Sequence, residues 1–185
     1  SIVIGGAMAN TFLLSNNYEV GNSLVEKNFI EIAKDIQHKA TTKKCKIILP
    51  IDAVCAKNFK DKNVTTVGIN NVPSDSMILD IGEKTTNLIL NEIKKCQSLL
   101  WNGPLGAFET KPFDNSSLKI ANFIKKSFKQ NKIHALAGGG DTLALINSAF
   151  AEDGFSYLSN AGGAFLEWLE GNKSPGFLAL EKNDI

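Results

Sequence analysis

Short apolar runs alternate with amphipathic stretches along most of this chain of 185 residues. The apolar runs are brief and lack polar alternation, which indicates strands that are buried on both faces. They predict strands at 2–4, 45–49, 77–82, 98–101, 134–137 and 157–158. Apolar residues at helical spacing predict helices over 23–43, 84–96, 116–129 and 143–150. The alternation favours an α/β, Rossmann-like fold with three layers, a parallel sheet with helices on both faces.

Shorter elements complete this prediction. A short helix runs through Phe12 and Leu13 after the first strand, and two short strands at 53–59 and 64–67 flank a turn. A last helix covers 165–169 and ends at Gly171, a residue type that commonly follows helices. Residues 174–176, Ser-Pro-Gly, are predicted to turn into an irregular tail.

Glycines stand at the ends of four predicted strands. They are Gly5-Gly6, Gly103 with Gly106, Gly138-Gly139-Gly140, and Gly162-Gly163. The carboxyl ends of parallel strands meet at one edge of a sheet, where such folds bind their ligands. A glycine turn that opens a helix also presents free backbone N–H groups at the positive end of the helix dipole. The pattern therefore predicts an anion site, with phosphate as the usual occupant.

The turn at 138–142 is the most informative of the four. Asp141 follows the three glycines and precedes Thr142 and a helix. A carboxylate beside bound phosphates makes most sense with a cation between them, and magnesium on a nucleotide is the natural candidate. The alternative is that Asp141 only caps the helix and the glycines only form a tight turn. This stretch alone leaves both interpretations open.

Composition and charge exclude several classes of function. The net charge of +1 gives no large basic field for nucleic acid, and no apolar run is long enough to span a membrane. Three cysteines in apolar surroundings suggest reduced thiols and a cytoplasmic protein. The two histidines, His38 and His134, receive no role. The chain opens inside an apparent strand without Met, and we interpret it as a fragment.

Two common nucleotide motifs do not match. A P-loop requires Lys-Ser/Thr directly after its glycines, where this chain has Asp141 and Thr142. The dinucleotide fingerprint requires Gly-x-Gly-x-x-Gly, and residues 5–10 lack that spacing, which argues against a dehydrogenase domain. Backbone amides, Asp141 and a second acid at Glu109 remain. This set suits phosphoryl transfer, in which positioning and charge neutralisation carry most of the catalysis.

The segment 100–109, Leu-Trp-Asn-Gly-Pro-Leu-Gly-Ala-Phe-Glu, resembles the Trp-Asn-Gly-Pro-x-Gly-x-Phe-Glu signature of the phosphoglycerate kinase family. Residues 137–142 resemble its Gly-Gly-Gly-Asp-Thr/Ser turn, and residues 5–13 its adenine-side loop. Residues 159–171 are similar to its C-terminal glycine turn and helix. These segments follow the family order and cover essentially the whole chain, so the chain is identified as a member.

The resemblance implies a role for each matching residue. The adenine pocket would comprise Gly5, Gly6, Leu24, Leu79 and Leu105, although ordinary core positions are an equal alternative for the three leucines. Glu109 would bind the ribose, and Asp141 would hold Mg²⁺. The phosphates of ATP or ADP would lie at Asn102, Gly103, Gly138, Gly139, Gly140 and Thr142. The catalytic amides beside the transferred phosphoryl group would be those of Gly140, Gly162 and Gly163.

Three residues depart from the family pattern. Asn160 replaces Thr, Ala161 replaces the first glycine of the C-terminal turn, and Glu83 stands where Pro is frequent. The methyl group of Ala161 puts the anion contacts of that turn in question.

The resemblance also implies a longer parent enzyme, a monomeric two-domain kinase whose N-terminal domain binds 3-phosphoglycerate. We interpret residues 1–185 as part of its nucleotide-binding domain, without the first strand-helix unit and its phosphate-facing lysine. Such a chain is expected to bind Mg-nucleotide weakly, to lack phosphoryl transfer, and to self-associate through an exposed sheet edge. The alternative is a non-catalytic adenine-nucleotide-binding or interaction module on the same fold.

Overall fold

The computed structural model describes residues 1–61, 63–130, 132–172 and 175–181. Its strands are β1 (Ile2–Val3), β2 (Ile47–Ile48), β3 (Asp52–Ala56), β4 (Thr65–Gly68), β5 (Met77–Ile81), β6 (Ser98–Asn102), β7 (His134–Gly138) and β8 (Tyr157–Ser159). Its α-helices are α1 (Gly6–Ser15), α2 (Ile30–Thr42), α3 (Glu83–Ile93), α4 (Asn115–Lys129), α5 (Gly140–Ser148), α6 (Gly162–Leu169) and α7 (Pro175–Glu181). Short 3-10 helices occupy Lys27–Phe29, Ile69–Asn71 and Glu152–Gly154.

Two groups of strands are parallel, as predicted. β7 lies between β6 and β8, and β1 pairs with β2. Helices follow β6, β7 and β8 in the chain, which is the strand-helix alternation that the apolar pattern indicated. Asn102 pairs with Gly138, and Gly138 pairs with Ser159, so the three strands end at the same level. The glycine turns after them are therefore neighbours.

Strands β3, β4 and β5 depart from the parallel arrangement. β3 lies in the middle of a three-stranded antiparallel sheet with β4 on one side and β5 on the other. The short connection from β3 to β4 reverses the chain direction, which antiparallel pairing allows and parallel pairing does not. A register shift between Val54 and Cys55 interrupts the pairing of β3 with β5. The apolar run at 77–82 therefore belongs to this sheet and not to the parallel one.

The main core lies where α3, α4 and α5 pack on the parallel sheet. α4 buries Ile120 and Ile124, and α5 buries Leu145 and Ile146, against Ala135 of β7. Each fully buried aliphatic side chain of this size contributes about 1.5–3 kcal/mol through removal from water. A second cluster, beside the antiparallel sheet, comprises Leu13, Val20, Ala53, Cys55, Ile69 and Val72.

Helix α2 begins seven residues later than its apolar spacing predicts, at Ile30 instead of Ser23. Tertiary hydrogen bonds hold the preceding segment in an irregular course. Ser23 accepts the N–H of Ile78 through its hydroxyl at 2.8 Å, and the Leu24 carbonyl accepts the Asn10 side chain at 3.1 Å. These bonds reach α1 and β5, so they compete with a local helical turn that the spacing alone would favour.

Two elements near the C-terminus also differ from the prediction. Helix α6 begins at Gly162, three residues before the predicted start at Phe165. Residues Pro175–Glu181 form helix α7 where a turn into the tail was expected, and Ser174 of that turn lies outside the described residues. Proline is favoured at the first position of a helix because its missing N–H has no partner there.

Some apolar side chains of the sheets remain exposed. Ile2 and Val3 of β1 are half-exposed, as are Leu100 of β6 and Leu136 of β7. The predicted self-association stays a prediction. Among the described residues, no helix combines the length and apolar character that a membrane span requires.

Candidate functional site

The turns that follow β6, β7 and β8 pack around the side chain of Asn102. A Cβ atom on Gly139 would lie 2.8 Å from Asn102 Oδ1, and one on Gly162 would lie 2.7 Å from the same atom. The Gly139 N–H donates to the Ser159 carbonyl at 3.0 Å, which joins the turns after β7 and β8 directly. Gly139 has a φ of +95°, a conformation that side chains rarely adopt. Only glycine therefore fits at 139 and 162.

The N-terminus of α5 faces open space. A Cβ atom on Gly103, Gly140 or Gly163 would meet no atom within 4 Å. Within the described part of the chain, no side chain caps α5, although a capping residue is common at this position. Its first N–H groups are thus available to an anion, whose charge the helix dipole would stabilise. Asp141 lies exposed in this first turn.

Thr142 connects the turn after β7 with the loop after β6. Its side chain is buried, and its hydroxyl accepts the Gly103 N–H at 2.7 Å. The Gly103 carbonyl in turn accepts the Trp101 indole N–H at 2.6 Å, and Gly103 adopts a φ of +104°. The Thr142 hydroxyl keeps its own proton, which it can donate to a ligand.

The fourth glycine turn, at Gly5 and Gly6, meets the same region through Leu105. The Gly6 N–H donates to the Leu105 carbonyl at 3.1 Å. A Cβ atom on Gly5 would overlap the Leu105 side chain. Three of the four predicted glycine turns thus share one sheet edge, and the fourth contacts the loop of Leu105 from the separate sheet of β1 and β2. Leu105 is itself buried, and its N–H donates to the Ser117 hydroxyl of α4 at 3.0 Å.

The three leucines assigned to an adenine pocket differ in their burial. Leu79 is buried beside Ala56 and Phe113, and Leu105 belongs to the main core, so the core interpretation describes both. Leu24 is 67% exposed and lies outside any helix, so the core interpretation is wrong for this residue.

Glu109 and the residues that depart from the family pattern lie at the surface. Glu109 is exposed in the turn that follows the loop of Leu105. Asn160 and Ala161 are exposed, and the Ala161 N–H donates to the Ser159 hydroxyl at 3.1 Å. The carboxylate of Glu83 pairs with Lys119 at 3.1 Å.

Sequence reasoning missed one buried carboxylate beside this site. Asp80 of β5 is 2% exposed and accepts hydrogen bonds from the Ser116 hydroxyl, the Ser116 N–H at 3.1 Å and the Ile81 N–H at 2.8 Å. Burial raises the pKa of the Asp80 carboxyl to about 6, and the nearby charge of Asp114 adds to the increase. The signal was an acid inside the otherwise apolar run at 77–81.

Asp52 of β3 is a second buried carboxylate and closes the N-terminus of α3. It accepts the N–H groups of Lys84 at 2.9 Å and Thr85 at 2.8 Å, together with the Thr85 hydroxyl. A Cβ atom on Gly82, which precedes α3, would overlap this carboxylate. This strand-glycine-helix turn therefore has an internal ligand.

The acidic residues of the described ranges suit a metal ion that shares its ligands with phosphates. No group of three or more His, Cys, Asp or Glu side chains gathers there to hold a metal ion unaided. Mg²⁺ commonly takes one or two protein carboxylates and completes its shell with phosphate and water oxygens. Asp141 offers one exposed carboxylate beside free N–H groups, which fits that pattern.

The phosphoglycerate kinase family model matches residues 1–172. This chain belongs to the phosphoglycerate kinase family. The membership predicted from residues 100–109 and the glycine turns is thereby confirmed.

Named relatives support the same family. Phosphoglycerate kinase of Brucella abortus is 49% identical over 183 residues, which make up 98% of this chain and 46% of the relative. That of Methylorubrum extorquens is 49% identical over 180 residues, which make up 97% and 45%. The chain thus spans about half the length of the curated relatives it matches.

Solved structures confirm the α/β Rossmann-like fold. Phosphoglycerate kinase from Coxiella burnetii is similar with a TM-score of 0.86 and 35% identity, over 92% of this chain and 44% of that one. The fold also matches phosphoglycerate kinase from Pyrococcus horikoshii, with a TM-score of 0.79 at 22% identity, over 97% and 44% of the two chains.

Proposed function

We propose that this chain binds the Mg²⁺ complex of ADP or ATP and forms the nucleotide-binding part of a phosphoglycerate kinase. The parent enzyme would transfer a phosphoryl group between ATP and 3-phosphoglycerate. The observation that carries the proposal is the convergence of the turns after β6, β7 and β8 on Asn102, beside the open N-terminus of α5.

The phosphate groups would lie along this edge. Phosphoryl transfer places most of its charge on oxygens, and preorganised N–H donors stabilise that charge. Gly162 at the start of α6 packs within 3.4 Å of the Cβ position of Gly138, so the N-terminus of α6 lies beside the turn that opens α5. Amides of Gly140, Gly162 and Gly163, the side-chain amide of Asn102 and the hydroxyl of Thr142 would contact the phosphates. Gly139 would lie beside them, with its own N–H held by the Ser159 carbonyl.

The adenosine would lie on the side of α1. Gly5 and Gly6 contact the loop of Leu105, and the exposed side chain of Leu24 lies in the segment hydrogen-bonded to α1. Leu79 would support the loop of Leu105 from inside the protein, because its carbonyl accepts the Ala107 N–H at 2.8 Å. Glu109 would accept hydrogen bonds from the ribose hydroxyls.

Asp141 would hold the Mg²⁺ ion that accompanies the nucleotide. The ion would neutralise phosphate charge during transfer. Asp141 suits this role because its carboxylate lies exposed in the first turn of α5, close to the N–H groups proposed for the phosphates.

The parent enzyme is proposed to be a cytoplasmic monomer with no nucleic-acid or membrane partner. Because the chain spans 46% of its Brucella relative, the site for 3-phosphoglycerate is proposed to lie in the remainder of such an enzyme. The chain alone is expected to bind nucleotide without turnover. A non-catalytic nucleotide-binding or interaction module would behave alike in isolation. Turnover restored by adding the N-terminal half of a relative would exclude that module.

Calorimetric titration with Mg-ADP tests the nucleotide site. The variant Asp141→Ala should bind about tenfold more weakly with Mg²⁺ and should lose most of its dependence on Mg²⁺. Asp35→Ala, which removes an exposed aspartate of α2, is the matched control and should bind within about twofold of the unmodified chain. Absence of saturable binding, or equal binding by both variants, would contradict the proposal.

A further inference from the structure

We propose that Asp80 is a positioning residue of the nucleotide site, because its carboxylate fixes the Gly106 turn of loop 103–109 against the N-terminus of α4. The inference rests on the function proposed above and extends it to a residue that contacts no nucleotide in that scheme. Three observations carry it: the bonds of Asp80 to α4, the fit of Gly106 against the carboxylate, and the contacts of the loop.

The first observation is the junction between β5 and α4. Asp80 accepts both the N–H and the hydroxyl of Ser116, the second residue of α4. No side chain of α4 itself caps this helix, so within the described ranges the carboxylate from β5 replaces a local cap. Asp80 is 2% exposed, so these bonds are largely shielded from bulk solvent.

The second observation is the fit at Gly106. A Cβ atom on Gly106 would lie 2.5 Å from Asp80 Oδ1 and 2.5 Å from the Phe113 carbonyl. The backbone of the loop therefore rests directly on the carboxylate. Bonds on either side complete the attachment: the Ala107 N–H donates to Leu79, and the Leu105 N–H donates to Ser117.

The third observation is the position of this loop between the two halves of the candidate site. Towards the adenosine side, the Leu105 carbonyl holds the Gly6 N–H. Towards the phosphate side, the Gly103 N–H is held by Thr142. A shift of the Gly106 turn would therefore displace both sides together, although Asp80 lies behind the loop.

The charges that face Asp80 come from three neighbouring elements. It lines a cavity of about 330 Å³ whose polar rim includes Glu83 of α3 and Lys119 of α4, which pair with each other. Val54 of β3, Thr66 of β4 and Val64, which precedes β4, also line the cavity. Asp114, in the turn before α4, is buried, and its Oδ1 atom has no hydrogen-bond partner among the described residues.

This environment makes the role of Asp80 dependent on pH. Burial and the charge of Asp114 raise the pKa of the Asp80 carboxyl to about 6. Above that pH the ionised group accepts all three of its hydrogen bonds. Below it the protonated group is neutral, so its hydrogen bonds with the two N–H donors lose their charge assistance.

The chain provides a matched control in Asp52. This carboxylate is also buried and also accepts N–H groups at a helix N-terminus, two from α3 where Asp80 accepts one from α4. It packs against Gly82, which is not part of loop 103–109. The variants Asp80→Asn and Asp52→Asn therefore remove the same type of cap from two helices, of which only one is attached to the loop.

The test compares Mg-ADP affinity by calorimetry with hydrogen exchange at the Leu105 and Ala107 amides. Asp80→Asn should weaken binding by about tenfold at neutral pH and accelerate exchange at both amides. Asp52→Asn should change affinity by less than about twofold and leave exchange at these amides unchanged. The affinity ratio between the unmodified chain and Asp80→Asn should shrink towards one below about pH 5.5. Titration of the nucleotide phosphates affects both proteins equally and cancels in this ratio.

Ser116→Ala is the second variant if Asp80→Asn fails to fold. It removes one donor to Asp80, keeps the backbone bond, and should accelerate exchange at the same two amides. Equal effects of Asp80→Asn and Asp52→Asn on affinity and exchange, or a ratio independent of pH, would overturn the inference. If the unmodified chain does not bind Mg-ADP, the proposed function fails, and exchange at Leu105 and Ala107 still decides the role of Asp80.

Discussion

The turns that open α3 and α5 have similar sequences and opposite environments. Both follow a strand, contain glycine and begin a helix with an acid in its first turn. At α3 the carboxylate of Asp52 occupies the space in front of the N–H groups of Lys84 and Thr85. At α5 the described residues supply no such group, and the Cβ position of Gly140 faces open space.

The difference teaches that a glycine turn at a helix N-terminus marks a potential anion site, and that the rest of the fold decides whether it is available. The anion at α3 is a side chain of the protein, and its role is stability. At α4, Asp80 likewise accepts an N–H group of the first turn, although burial makes its ionised form costly to stability. At α5 the first N–H groups have no such acceptor among the described residues, and free donors of this kind are what an anion-binding site requires.

Substitution at the closed turn should have the largest effect on stability. Gly82→Ala would drive the new methyl group into the Asp52 carboxylate and break its bonds to α3. We expect the free energy of unfolding to fall by about 2–4 kcal/mol, because buried donors lose their charged acceptor. Urea unfolding measures this change. A loss below about 0.5 kcal/mol would show that α3 does not depend on the carboxylate.

The closed turn at α4 should also make stability depend on pH. Because the folded pKa of Asp80 is raised to about 6 from 3.8, its contribution is greatest below the unfolded value and is lost as the pH rises through about 6. The change is at most about 3 kcal/mol. Unfolding of the chain and of Asp80→Asn between about pH 4 and about pH 7 should therefore differ in slope.

Glu92→Gln provides the contrasting control for this titration. Hydrogen bonds from Lys46 and Lys95 lower the pKa of Glu92 to about 2, so its contribution is present at neutral pH and is lost as the pH falls. The two variants should alter the slope in opposite directions and in different ranges, Asp80→Asn between about pH 4 and about pH 6 and Glu92→Gln between about pH 4.5 and about pH 2. A shared direction would mean that Asp80 is ionised more readily than its burial implies.

At the edge of the open site, Gly139→Ala should cost both stability and affinity. Its φ of +95° and the 2.8 Å approach of Asn102 Oδ1 leave no place for a methyl group. A strained backbone of this kind costs about 1–3 kcal/mol. Because Asn102 must then move, Mg-ADP affinity should fall by about tenfold or more. Calorimetry would contradict this if the variant bound as tightly as the unmodified chain.

The smallest effect on stability is expected at the open turn itself. Gly140→Ala places a methyl group where no atom lies within 4 Å, at a helical position that alanine favours. Unfolding should change by less than about 0.5 kcal/mol. The methyl group would nevertheless occupy the space proposed for a phosphate, so Mg-ADP affinity should fall severalfold. Unchanged affinity would show that the ligand lies elsewhere.

Much of the parallel sheet and the position of the glycine turns could be predicted from the sequence. The apolar runs at 98–101 and 134–137 identify β6 and β7. The expected burial on both faces is wrong for these strands, because Leu100 and Leu136 remain partly exposed. The shared edge of the turns after β6, β7 and β8 follows from parallel topology, whereas the Gly5-Gly6 turn reaches it through the loop of Leu105. The residue pattern alone left Asp141 undecided between a cap and a metal ligand, and the resemblance of the surrounding motifs supplied its proposed role.

The remaining features depend on contacts between distant residues. The antiparallel pairing of β3 and β5 joins positions that no local pattern connects. The irregular segment before α2 is held by Asn10 and Ile78, which override a helical spacing. The importance of Asp80 emerges only when β5, Gly106 and α4 come together, because an acid in an apolar run indicates a constraint without naming its partner.

The hydrogen bond between Gly103 and Thr142 has a consequence for the thermodynamics of ligand capture. It joins two segments that are 39 residues apart, before any ligand arrives. The loop therefore loses its conformational freedom when the chain folds and not when the chain binds a ligand. The spacing of the donors in these two segments is therefore fixed before a ligand binds. Association then carries a smaller entropic penalty than it would if binding had to order the loop.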